Sequence, residues 1–136
     1  MLDGWPATHD LGRLAIALHL HNRQHGSAGI GRAGICFSIV NAVLEELIFR
    51  GILWEVVSEE WNNAMALGVT ALLFGVGHLD GYPPGPLGVI LAGLYGITLG
   101  GLRWWTGGLA LTTACHVGAD ATIFCILASA GAFDVK

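Results

Sequence analysis

Glu45, Glu46 and Arg50 stand inside a run that is otherwise almost wholly apolar, from Gly34 to Val57. At bilayer depth a single charge costs about 2.5–3.5 kcal/mol on insertion scales. Three ionisable groups within six residues therefore demand partners from elsewhere in the chain. Composition makes the bilayer the default solvent. The 136 residues are 54% hydrophobic and only 12% charged, whereas a soluble domain carries about 25% charged residues. The expected fold is all-α: a polytopic membrane helix bundle of about four transmembrane helices, preceded by a short N-terminal amphipathic helix.

The same composition narrows the function. A net charge of −4 and the lack of any Lys/Arg cluster argue against a nucleic-acid partner. Cys36, Cys115 and Cys125 fall in apolar segments without a CxxC pair. They read as small buried hydrophobes, with neither a disulfide framework nor a cysteine zinc site. The N-terminus lacks the basic region, apolar core and cleavage site of a signal peptide.

Residues 1–33 read as an interfacial and linker segment. Asp10 to His19 forms an amphipathic stretch with Leu11, Leu14, Ala15 and Leu18 on one face, too short to cross a bilayer, which takes about 20 residues. His19, His21 and His25 follow in a polar stretch and read as solvated linker histidines rather than metal ligands. Residues 34–130 form the core, as apolar segments at 34–57, 64–79, 86–102 and 109–130, with 131–136 as a tail. Ser58 to Asn63 ends the first segment, and the breaker run Asp80 to Gly85 ends the second. Arg103 to Gly108 reads as an interfacial loop rich in Trp. In the third segment Gly88, Ala92, Gly96 and Gly100 recur every four residues, the spacing at which membrane helices approach closely. That helix is expected to be the scaffold, and the other three to carry the chemistry.

Helical spacing sorts the polar groups. Glu46 and Arg50 are four apart with the acid first, the favourable order for an ion pair. Glu45 points about 100° away, on a face shared with Asn41 and Phe49, and must find its partner on another helix. A carboxylate so placed suits general acid–base work. Phe74 and His78 are four apart, as are His116 and Asp120. Each histidine alone could be a satisfied interhelical hydrogen bond, and Glu46–Arg50 alone a structural ion pair. Together they form a set of intramembrane ionisable residues, which line cavities or mark function. Arg13, Arg23, Arg32 and Lys136 on one side, against Arg50 and Arg103 toward the other, favour a cytoplasmic N-terminus and C-terminus.

Three motifs now stand in order: Glu45-Glu46-Leu47-Ile48-Phe49-Arg50-Gly51 as EExxxRG, Phe74-Gly75-Val76-Gly77-His78 as FxxxH, and His116-Val117-Gly118-Ala119-Asp120 as HxxxN/D. Over about residues 34 to 128 the chain resembles the CPBP family, also called Abi: type II CAAX prenyl endopeptidases and bacteriocin-processing enzymes. The resemblance implies an intramembrane endopeptidase that cleaves near the C-terminus of a lipid-anchored protein or a hydrophobic peptide. By position, Glu45 would activate the attacking water, assisted by His78. Glu46 and Arg50 would support the site's geometry and charge, and His116 and Asp120 would stabilise the oxyanion. The family position of Asp120 is often Asn, and a carboxylate donates no hydrogen bond unless protonated. Asp120 is therefore expected to orient His116, leaving His116 as the oxyanion donor. Family members commonly carry further membrane helices before the first motif, so the chain reads as a minimal core, a fragment or a truncated reading frame, and a dimer could replace those helices.

Two rivals stay open. Glu45, His78 and His116 make a plausible zinc set, although no HExxH helix is present and a glutamate-activated water without bound metal is preferred. A non-catalytic membrane protein, an immunity factor or a transport component, could use the same buried groups as a proton relay. The chain shows no internal repeat of the transporter kind. A serine protease finds no support, because Ser27 lies outside the apolar segments.

Overall fold

A computed structural model describes residue 29 and residues 31–132, and the described residues contain helices and turns but no strand. The first helix, α1, covers residues 31–46. It runs without a break into a π-helical turn, Leu47–Leu53, and then into α2, Trp54–Glu60. The other helices are α3, Asn63–Gly77, α4, Pro86–Thr106, and α5, Ala110–Ser129. The expected N-terminal amphipathic helix and His19, His21 and His25 lie outside the described residues.

Local chemistry sets the boundaries. Asn62 Oδ1 accepts the Met65 N–H at 3.0 Å and caps the start of α3. Pro86 opens α4, where its missing N–H costs nothing. Gly107 closes α4 in the left-handed region at φ 68°, which a side chain would disfavour. The residues from Arg103 to Thr106 are therefore helical rather than part of a loop, and only Gly107 to Leu109 turn the chain.

Two antiparallel seams hold the bundle. Along the first, α3 lies on α4 through glycines. A Cβ on Gly75 would sit 2.7 Å from the Val89 carbonyl oxygen, and one on Gly96 3.1 Å from the Ala71 Cα. Gly100 lies against Leu67 and Trp54. The small-residue stripe of the third segment is thus a packing face at Gly88, Gly96 and Gly100, all buried, while Ala92 turns toward a cavity. Trp54, Val57 and Ala66 form the apolar core beside it. Along the second seam α1 meets α5 in reverse order, with Gly34 against Phe124, Asn41 against Asp120, Glu46 against His116 and Gly51 against Leu109.

Outside these seams the surface is greasy. Phe37, Leu72, Ile90 and Ile126 are among many large apolar side chains left exposed. This is the outer face expected where lipid replaces water. Cys36, Cys115 and Cys125 share it: all three are exposed free thiols, not buried hydrophobes. Lipid tolerates a thiol on an outer helix face, so an apolar sequence context did not require burial. Among the described residues two helices, α4 and α5, are long and apolar enough to cross a membrane, while α3 is apolar but shorter.

Candidate active site

Burial drives the assembly of the polar groups. Glu46 and Arg50 are both fully buried, and their ion pair closes at 3.0 Å between Oε1 and Nη1. Desolvating both ions is costly unless further hydrogen bonds complete them. The structure supplies two such bonds from other helices, while Glu46 Oε2 and Arg50 Nε have no hydrogen-bond partner among the described residues. The His116 Nδ1–H from α5 donates to the same Glu46 oxygen at 2.9 Å, and Arg50 Nη2 donates to the Gly96 carbonyl of α4 at 3.1 Å. The Arg50 guanidinium carbon also lies 4.4 Å from the centre of the Phe74 ring, a cation–π contact with α3. A charge pair on one turn of α1 thus gathers three neighbouring helices around itself.

The π turn matters here. Arg50 sits in its middle, and single π turns inside α-helices are often found at functional sites. Nothing in the apolar pattern of the first segment announces it.

Glu45 stands apart, as its helical angle requires. Its side chain is a quarter exposed, and Oε2 lies 3.4 Å from His116 Nε2, outside hydrogen-bond geometry. Among the described residues no protein donor satisfies that oxygen. Asp120 approaches the same imidazole nitrogen at 3.6 Å through Oδ1, while its Oδ2 accepts the Asn41 amide at 3.0 Å. The orientation of His116 therefore differs from expectation. Glu46, not Asp120, takes the Nδ1 proton, and the Nε2 edge faces the two carboxylates Glu45 and Asp120. With Nδ1–H committed to Glu46, His116 can donate from Nε2 only as an imidazolium.

His78 ends α3 as its C-cap, just beyond the last helical residue. Its Nδ1–H donates to the Phe74 carbonyl at 2.8 Å, and its ring lies 4.5 Å from the Phe74 ring. This leaves Nε2 as the acceptor nitrogen. His78, His116 and Asp120 open on one cavity of about 390 Å³ between α4 and α5, whose other walls are largely apolar, among them Leu91, Ala92 and Ile123. The predicted site residues Glu45, Glu46, Arg50, His116 and Asp120 thus form one cluster. His78 joins it across the cavity wall and through Phe74, whose ring also meets His116 edge-on at 5.5 Å.

Three contributors escaped the sequence reading. Asn41 lies one turn before Glu45 on the same face, and that spacing was the available signal for its contact with Asp120. Tyr95 lines the cavity and donates its hydroxyl to the Cys115 carbonyl at 3.0 Å, a polar group within the segment read as pure scaffold. The Gly96 carbonyl carries no signal, because any residue has one; its exposure to Arg50 depends on the close approach of the helices. The zinc set fares differently. The Nδ1 atoms of His78 and His116 are held by the Phe74 carbonyl and Glu46, which leaves Nε2 as the edge of each ring open to a ligand; among the described residues no three His, Cys, Asp or Glu side chains stand as a metal-binding group.

Largely apolar outer helix faces, enclosing a buried ion pair and a second carboxylate beside a cavity, define a membrane protein with an internal polar cluster. Residues 28–122 match the family described as type II CAAX prenyl endopeptidase Rce1-like, and the chain belongs to that family. The membership places it among membrane proteins of a protease family, hydrolases at the coarsest level. No curated protein and no solved structure matches the chain.

Proposed function

We propose that the protein is an intramembrane endopeptidase hydrolysing a peptide bond near the C-terminus of a membrane-anchored protein or peptide, with prenylated CAAX-type substrates among the candidates. The observation that carries this reading is the division of labour between the two glutamates. Glu46 is fully buried and its Oε1 is held by both Arg50 and His116, whereas Glu45 is a quarter exposed, has no protein donor at Oε2 and faces His116 Nε2 at 3.4 Å. A carboxylate so held can accept a proton from water. In the proposed reaction the water oxygen attacks the scissile carbonyl carbon and its proton passes to Glu45. His78, with Nε2 free to accept, assists. The resulting oxyanion is stabilised by His116 in its imidazolium form, with Asp120 and Asn41 fixing the side of the ring that faces it. The proton held on Glu45 then goes to the leaving amine as the C–N bond breaks.

The cavity supports a hydrophobic substrate, because its walls are largely apolar and only a few polar side chains, His78, His116 and Asp120 among them, open on it. We also propose four crossings. Residues 31–60 form one helical rod of roughly 45 Å at about 1.5 Å per residue, longer than the hydrocarbon core of about 30 Å. With α3, α4 and α5 this gives both termini on one side, and the balance of Arg and Lys favours the cytoplasm.

The test is a cleavage assay in detergent, using a prenylated CAAX peptide and an unmodified hydrophobic peptide. Glu45→Ala and His78→Ala are expected to lower kcat by about 10²–10⁴-fold, with unfolding temperatures near that of the wild type. Cleavage that survives Glu45→Ala would sink the mechanism. Folded wild type that cleaves neither peptide would favour an immunity or transport role.

A further inference from the structure

The π turn poses a problem of hydrogen bonding. At its end the Trp54 N–H reaches the Phe49 and Gly51 carbonyls and so passes over the Arg50 carbonyl, its partner in a regular α-helix. In an apolar setting a carbonyl bypassed in this way needs another donor. Arg103 provides one: its Nε–H donates to the Arg50 carbonyl at 3.0 Å, while Nη2 pairs with the Glu55 carboxylate. Arg103 is seven residues beyond Gly96 on α4, two turns along the same face, and Gly96 accepts from the Arg50 guanidinium. Thus α4 grips Arg50 at both ends, by its side chain through Gly96 and by its backbone through Arg103.

We infer that Arg103 is a positioning residue for the site: by donating to the Arg50 carbonyl it holds the π turn in the register that aims the Arg50 guanidinium at Glu46. Relaxation of the turn to a regular helix removes the extra residue that the π conformation accommodates. Either Trp54 and Val57 then leave their packing on Ala66, or Glu46 and Arg50 rotate out of the seam. The Nε bond to the Arg50 carbonyl opposes that change directly. Its consequence for Glu46 follows, since Glu46 fixes His116 through Nδ1. The planar fork of arginine is what allows one side chain to serve a carbonyl and a carboxylate at once. A lysine in its place keeps a cation for Glu55 but lacks the second, fixed donor. The effect on turnover rests on the endopeptidase reading, whereas the effect on the backbone of the π turn does not.

Three proteins separate the roles: wild type, Arg103→Lys and Glu55→Gln, each in detergent. Amide hydrogen exchange is followed by mass spectrometry over residues 47–55, alongside thermal unfolding and kcat and KM on the hydrophobic peptide. In Arg103→Lys, exchange in the π turn is expected to quicken about tenfold, the equivalent of one lost hydrogen bond. Its kcat is expected to fall by about the same factor, with KM close to the wild-type value. Glu55→Gln keeps the Nε bond and should match wild type in both measurements. Wild-type exchange in Arg103→Lys overturns the inference, as does a Glu55→Gln protein that loses as much as Arg103→Lys, which would make the ion pair the operative contact. If exchange quickens as expected but wild type cleaves nothing, the role of Arg103 in the turn stands and the endopeptidase reading falls.

Discussion

The α3–α4 seam and the α1–α5 seam solve the same problem, joining two helices in lipid, by opposite means. Between α3 and α4 the side chains are removed: Gly75, Gly93 and Gly96 bring backbone against backbone, and no buried charge is needed. Between α1 and α5 the helices are joined by groups that lipid cannot solvate: Asn41 to Asp120 and Glu46 to His116. In the first seam the backbones meet closely enough that added volume must push them apart. The second is chemically versatile because its groups can hold, donate or accept protons. Arg50 belongs to both, bonded to Glu46 on its own helix and to the Gly96 carbonyl of the glycine seam. A reactive centre built on polar contacts alone would shift with each proton gained or lost. Tied to the dry seam through Arg50, it has a fixed frame.

The largest effect is expected where the two seams meet. Arg50→Met keeps the bulk of the side chain but leaves the Glu46 carboxylate buried without its cation. Breaking a buried pair in this way costs about 3–5 kcal/mol, and both the unfolding temperature and peptide cleavage should collapse. The double variant Arg50→Met/Glu46→Leu should recover much of the stability and none of the activity. An Arg50→Met protein as stable as wild type would mean that the seams are independent and the bridge is incidental.

The next largest concerns the dry seam alone. Gly75→Ala places a methyl group 2.7 Å from the Val89 carbonyl oxygen, and the backbone of α4 cannot swing aside as a side chain would. Overpacking of this kind costs about 1–3 kcal/mol. Gly68 lies on the same helix with nothing within 4 Å of its Cβ position, so Gly68→Ala should instead gain about 0.5–1 kcal/mol from the stiffer backbone. Equal responses at the two positions, read by thermal unfolding in one detergent, would show that close approach is not what holds α3 to α4.

The two seams also differ in how far the sequence revealed them. The glycine stripe of α4 was visible as a four-residue spacing because close approach demands small residues, although Ala92 shares the spacing and faces the cavity, and Gly93 meets α3 from outside it. The Glu46–Arg50 pair, and the gathering of His116 and Asp120 around the glutamates, followed from charge in an apolar run. Which atom meets which did not follow. The choice of Glu46 rather than Asp120 as the partner of His116 Nδ1 depends on the depth at which α5 crosses α1, and no local pattern encodes that depth. The π turn was hidden for a related reason. Its stabilising donor, Arg103, lies 53 residues away on α4 in a stretch that reads as an interfacial loop. The exposed cysteines show the limit of burial arguments in lipid, where an apolar context fits an outer face as well as a core.

The smallest effect lies at the far end of the polar seam. Asn41→Ala removes the single hydrogen bond, 3.0 Å long, between α1 and Asp120. Interhelical hydrogen bonds in membranes are worth about 0.6 kcal/mol on average and up to about 1.7, because in the unfolded chain the same groups find other partners. Stability should therefore fall only slightly. Activity is the more sensitive readout, since Asp120 loses the donor that holds it beside His116 Nε2. A double-mutant cycle of Asn41→Ala with Asp120→Ala isolates the pair. Coupling in cleavage that exceeds the coupling in stability would make this contact part of the reactive end of the seam. Coupling near zero in both would confine the working part of the α1–α5 seam to Glu46 and His116, with Asn41 no more than a helix contact.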